Sequence, residues 1–297
     1  MLHALRMLLI VLMIFLLALW VPSGAAIAQV KPLPPDTSGG MPPLKDGYLS
    51  DAEYQDESIH VWISQGRMYD TNWMAVEVTI ADPSQLRTGV AGSYRSPGAA
   101  FTTTMAKRVN AVLATNGDYF GFNTTGYCVR QGTVIRRKAQ GNFDTLLIDD
   151  KGDFHILRSA TQEMCDAWPG TAVNTFNFGP GLIVDGERMT EFTPEELYGK
   201  GADKGAQRIC IAQTGPLSYM VVYCEGPENK GSAGLTIQQF ADLVASFEGI
   251  ENAYNLDGGS SSTIVFGNKK INGLSSGKMR QISDIIYFAS ALAPDGD

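Results

Sequence analysis

Apolar and polar residues alternate along much of the chain in short runs, the period-two pattern of half-buried β-strands. Such runs, together with β-branched stretches of similar length, fall at residues 60–64, 73–80, 111–115, 145–149, 154–158, 182–184, 208–214, 218–224, 253–256, 263–265 and 284–289. A helical period is rarer. It is clearest over residues 236–247, where Thr236 can cap and Ile237, Phe240, Leu243, Val244 and Phe247 share one face. Further helices are expected at 98–109, 160–167 and 193–198, the last opening with a Thr-Pro-Glu-Glu start signal. Strands outnumber helices, and neither a fixed repeat nor strict β-α alternation appears. The pattern predicts an α+β fold, a mixed or antiparallel sheet-rich single domain with a few flanking helices, built on one large sheet or two packed ones.

The ends of the chain depart from this pattern. Residues 1–28 combine a basic start, an apolar run and an Ala26-Ile27-Ala28 ending, as in a secretory signal peptide; left uncleaved, the run would be a membrane anchor. Both readings place the remainder outside the cytoplasm, secreted or extracytoplasmic. Residues 29–57 are rich in proline, glycine and acids and read as a linker, which leaves 58–293 as the domain proper. The whole chain has 297 residues, 44% of them hydrophobic, enough for a full core.

Charge narrows the partners. Removal of residues 1–28 leaves 22 basic and 31 acidic side chains, a net charge of −9. Such a surface argues against nucleic acid and against charge-driven docking on anionic lipid, so membrane contact is expected only through an uncleaved N-terminal segment. Cys128, Cys165, Cys210 and Cys224 form no CxxC and no metal-type pairing with histidine, so zinc is not expected, and no cofactor is called for. In an oxidising compartment Cys210 and Cys224 could bridge two strands; equally, each cysteine can serve as a small buried hydrophobe.

Four stretches put polar groups at strand ends. In NGDYFGF, residues 116–122, Asn-Gly suits a hairpin turn with Asp118 in solvent, but the aromatic residues that follow suit the wall of a sugar site. NFGPGLIVDGE, residues 177–187, reads as strand, Asp185-Gly186 turn and strand, with Gly179 and Gly181 allowing close approach of a ligand. QRICIAQT, residues 207–214, opens a strand with Arg208, whose planar fork suits a phosphate or carboxylate if it faces a pocket. NLDGGSSSTIVF, residues 255–266, sets Asp257 at a strand end, followed by glycines whose amides can form an anion nest. Rival chemistries lack their parts. Only His60 and His155 remain for a Ser-His-Asp triad, and there is no G-x-S-x-G elbow. Ser275-Ser276-Gly277-Lys278 matches a bare S-x-x-K with none of its companion motifs and reads as a loop. A calcium site on Asp257 lacks the D-x-D-x-D-G spacing.

Taken in order, NGDYF, FGPGLIVDGE, the Arg208 strand, the helix after Gly234-Leu235-Thr236, NLDGGSSST and the closing Arg280 with Ser283-Asp284 resemble the phosphodiester glycosidase family over roughly residues 109–288. Ser260 departs from the family pattern, which more often has a third glycine there. The resemblance implies hydrolysis of a sugar's bond to a phosphodiester oxygen. On that reading Arg208, Arg280 and the backbone near Gly258 and Gly259 hold the phosphate. Asp257 or Asp118 acts as base or nucleophile, while Asn116, Ser260 and Asp284 contact substrate. The alternative is a non-catalytic exported glycan-binding module. Convergence of Asp118, Asp257 and Arg208 on one cleft separates the two.

Overall fold

The computed structural model describes residues 30–193, 196, 201–273 and 279–293. The proposed signal peptide and the S-x-x-K loop lie outside the described residues, as does most of the helix expected at 193–198. Contacts group Val30–Leu292 into one compact unit. Every strand pair in it is antiparallel.

A nine-stranded sheet and a five-stranded sheet pack face to face, with a three-stranded sheet and a two-stranded ribbon beside them. The centre of the large sheet is made by Thr71–Ile80, Ser218–Cys224, Arg208–Gly215 and Asn252–Asn255, paired in that order. The centre of the smaller one is Ala111–Asn116, flanked by Ile264–Phe266 and Asp284–Ala289. Side chains alternate across each strand, so both sheets have an inner face. Val76, Ile209, Ile211 and Val221 meet Leu113, Ile264, Ile286 and Phe288 in one continuous core.

The outer faces are covered by helices. Ile237–Ala245 lays Ile237, Phe240, Leu243 and Val244 on Cys210, Ala212, Met220 and Val222. Its start is fixed by a capping box, in which Gln239 N–H donates to Thr236 Oγ1 at 3.2 Å and Thr236 N–H donates to Gln239 Oε1 at 3.0 Å. Thr102–Arg108 covers the smaller sheet through Met105 and Ala106. Gln162–Ala167 is the third helix among the described residues.

Three expectations change. Residues 30–57 carry the two outermost strands at one edge of the large sheet, Tyr48–Ser50 and, inside it, Glu53–Gln55, while Leu33 is buried and Arg87 donates to Pro34 O and Asp36 O. Proline-rich composition hid this, because the segment docks through scattered backbone groups and not through a periodic apolar face. Cys210 and Cys224 are free: Cys210 stands opposite Val222, and Cys224 opposite Arg208, so each is a buried hydrophobe. Asn116-Gly117 is not a hairpin turn, since the strand beyond it, Gly126–Arg130, pairs with Thr133–Lys138. Asp185-Gly186 is one, with φ of 51° and 80° joining Gly181–Val184 to Glu187–Arg188.

Candidate active site

Antiparallel register gathers the polar strand ends. In the large sheet Cys210 pairs with Asn255 and Gly181 with Tyr254, so the start of the Arg208 strand, the exit toward Asp257 and the Phe178–Pro180 approach share one edge. In the smaller sheet Ile285 pairs with Asn116 and Ile264 with Thr115, which brings the exits toward Gly117 and Thr263 to the approach from Arg280. Residues 257–263 run from one sheet to the other and close the site.

Between these ends lies a cleft of about 420 Å³ whose walls include Tyr119, Asn123, Phe178, Glu196, Gln207, Arg208, Asn255, Asp257, Gly258, Gly259 and Arg280. A cleft of this size holds a small ligand. Arg208 is buried, donating from Nε to Leu235 O at 2.6 Å and from Nη2 to Ala202 O at 3.1 Å and Lys204 O at 2.8 Å. Burial pulls its guanidinium below the usual value, and no carboxylate among the described residues lies in ion-pair contact with it. Such a cation favours an anion brought by a ligand. Arg280 is exposed on the same cleft.

The Asp257 loop is held from both sides. Asn116 Nδ2 donates to Asp257 O at 2.8 Å, and Asn116 Oδ1 accepts from Thr263 N–H at 3.1 Å. Opposite, Gln207 Nε2 donates to Gly259 O at 2.7 Å, and Gly259 N–H donates to Gln207 O at 2.8 Å. That last bond removes the Gly259 amide from the expected anion nest. The amides of Gly258 and Ser260 have no acceptor among the described residues. Gly259 needs its glycine, with φ of 57°; Ser260 has negative φ, so a side chain in place of the family's third glycine fits without strain. Ser261 and Ser262 are buried and do not line the cleft.

Asp118, Asp284 and Asn116 are buried and are not among the cleft-lining residues. Asp118 and Asp284 instead face Arg130, at 2.6 and 2.9 Å from its Nη2. Of the three groups whose convergence was to be tested, Asp257 and Arg208 share the cleft and Asp118 does not. The expected aromatic wall divides likewise: Tyr119 and Phe122 stack at 4.7 Å with exposed faces, whereas Phe120 turns inward under Arg130. Sequence reasoning missed three residues. Glu196 lies in the segment expected as the 193–198 helix, and nothing in the sequence pointed to the N–H groups of Asp144 and Thr193 that donate to its carboxylate at 2.9 and 3.1 Å; burial, then the charge of Asp144, raises its carboxyl. Gln207 was visible only as the neighbour of Arg208. Arg130 ends the run GYCVR, whose apolar core is too short to read as a strand. No group of three or more His, Cys, Asp or Glu among the described residues could hold a metal ion.

The fold is that of a glycosidase catalytic domain. The structure matches the zebrafish N-acetylglucosamine-1-phosphodiester α-N-acetylglucosaminidase catalytic domain, auto-inhibited by pro-peptide, with TM-score 0.63 and 16% identity, over 88% of this chain and 99% of that one. Residues 109–289 match the model of the phosphodiester glycosidase family, and the chain belongs to that family. A hypothetical protein from Synechocystis is also similar, with TM-score 0.60 and 16% identity over 78% of this chain and 62% of that one. So is a Burkholderia pseudomallei protein described by expected export, with TM-score 0.54 and 13% identity over 74% of each chain. No curated protein matches. No helix among the described residues is long and apolar enough to cross a membrane.

Proposed function

We propose that the protein is an exported glycosidase that hydrolyses the bond between a sugar's anomeric carbon and a phosphodiester oxygen, acting on envelope or extracellular glycans. The observation that carries this reading is the sharing of one cleft by Asp257, Arg208 and Arg280. A phosphodiester leaves as a stable anion, so protonating the leaving group matters less than in an ordinary glycoside. The work left is to hold that anion and activate water. Arg208 and Arg280 grip the phosphate, with the amides of Gly258 and Ser260 in support. Asp257 is the base or nucleophile, and Glu196 replaces Asp118 as the second carboxylate of the cleft. Asn116 acts through the Asp257 loop that it holds.

A glycan-binding module would need no carboxylate near an anomeric carbon, and this cleft is lined by both Asp257 and Glu196. The test is Asp257→Asn, which keeps shape and removes the base, assayed on a panel of sugar-1-phosphodiesters for released sugar and its anomeric form. A positioned base contributes about 10²- to 10⁴-fold, and a loss in that range is expected. Turnover at the wild-type rate by a folded Asp257→Asn protein sinks the assignment.

A further inference from the structure

The cleft gives a place to Asp257 and Arg208 but leaves three buried ionisable side chains unused. Arg130 is 0% exposed, and its donors are all engaged. Nε and Nη2 reach Asp284 Oδ2 at 3.2 and 2.9 Å, Nη2 reaches Asp118 Oδ1 at 2.6 Å, and Nη1 reaches Val129 O and Thr175 O. The rings of Phe120 and Phe176 cover it, with centroids 4.9 and 4.5 Å from Cζ. Buried ion pairs add little net stability, because desolvation consumes most of the attraction. Their use here lies in what the carboxylates are attached to.

Asp118 accepts from Asn177 N–H at 2.7 Å, the residue before Phe178. Asp284 O accepts from Gly117 N–H at 3.0 Å, and Ser283 Oγ from Gly121 N–H at 3.2 Å. Between Asp118 and buried Phe120, Tyr119 is forced to φ 69°, ψ 22°. A bulky side chain in that region is strained and persists only where its surroundings over-determine it. We propose that Arg130 is the positioning residue of the cleft: with Asp118 and Asp284 it forms a buried triad that fastens together the three loops presenting Tyr119, Phe178 and Arg280. The Asp257 loop is held mainly by Asn116 and Gln207, with one bond, from Arg280 N–H to Ser260 O at 3.3 Å, joining it to the Arg280 loop. This rests on the glycosidase reading only in assigning those loops to substrate binding.

The test uses the full chain carrying Arg130→Lys or Arg130→Met, with hydrogen exchange read by mass spectrometry. A lysine keeps the charge but has no fork to hold two carboxylates and two carbonyls. In Arg130→Lys, exchange in peptides covering 117–123, 176–181 and 280–284 should rise together by about tenfold, while 208–215 and 218–224 stay within about twofold. On a sugar-1-phosphodiester, KM should rise by about tenfold and kcat fall by less, because binding surfaces move while Asn116 and Gln207 still hold the Asp257 loop. Faster exchange confined to 126–130, or a loss of kcat at constant KM, overturns the proposal. Should Arg130→Met fail to fold, Arg130→Lys decides. A wild-type protein inactive on every phosphodiester defeats the glycosidase reading alone, and the exchange pattern still decides the role of Arg130.

Discussion

Asp284 should make the fold less stable as pH rises, the reverse of an ordinary ion-paired aspartate. Two carboxylates share one guanidinium with no exposed surface, so the cluster is neutral only when one carboxylate is protonated. Asp118 has the closer contact with Arg130 and a backbone donor as well, which leaves Asp284 to carry the proton. Burial, opposed by Arg130 and helped by the charge of Asp118, pushes the Asp284 carboxyl up to about 7 from an ordinary value of 3.8. Between those values the native state keeps a proton that the unfolded chain has lost. Stability therefore falls with rising pH across that window, by at most about 1.4 kcal/mol per pH unit, and levels off above it. The assay is urea unfolding of wild type and Asp284→Asn from about pH 5 to about pH 8. Asparagine imitates the protonated acid, so the variant should gain on wild type by about 2 kcal/mol over that range. A stability difference that stays flat with pH, or moves the opposite way, refutes the protonated triad.

Other substitutions probe separate parts of the site. Asn116→Ala removes the bonds to Asp257 O and Thr263 N–H; it should cost about 1–3 kcal/mol in urea unfolding and lower kcat more than it raises KM. In Gly117→Ala the new Cβ would lie 2.2 Å from Asp284 Oδ2. Since that carboxylate is locked against Arg130, a loss of about 1–3 kcal/mol is expected by thermal unfolding. Arg208→Lys gives up the planar fork, and calorimetric titration with inorganic phosphate should show affinity lower by about tenfold. Thr236→Ala breaks the capping box and should cost about 1 kcal/mol in thermal unfolding.

The strands most legible in the sequence are those whose burial is mainly apolar. Ser218–Cys224 and Asp284–Ala289 match their expected bounds to the residue, because Val221 and Ile286 need only hydrophobic neighbours; the one buried charge, Asp284, sits at the end of its strand. The strands Leu86–Val90, Gly126–Arg130 and Ala172–Phe176 were not legible, and each buries polar side chains: Arg87 and Thr88, Arg130, Asn174 and Thr175. A buried polar residue in a strand looks like a surface residue unless its partner is known, and these partners are remote in sequence. Thr88 Oγ1 donates to Asn174 Oδ1, 86 residues away, and Arg130 reaches Asp284 across 154. Local pattern carries no trace of such a pairing.

The same blindness explains why two aspartates at strand ends looked alike. Asp118 follows Asn116-Gly117 and Asp257 precedes Gly258-Gly259, so both read as carboxylates presented by a turn. What separates them is the remainder of the sheet. Asp118 leaves a strand of the smaller sheet beside Gly126–Arg130, where a guanidinium already waits beneath two aromatic rings. Asp257 leaves the large sheet next to Arg208, whose hydrogen bonds go to backbone carbonyls. An aspartate bound to a buried arginine has its charge committed before any substrate arrives, and it can act only by holding other groups in place. Asp257 instead shares a cleft with a cation whose hydrogen bonds among the described residues go to backbone carbonyls, and on the proposed reading that cleft receives the phosphodiester. On that reading the two carboxylates divide the site into a fixed frame around Arg130 and a reactive edge around Asp257, which is why substitutions in the first should move KM and those in the second kcat.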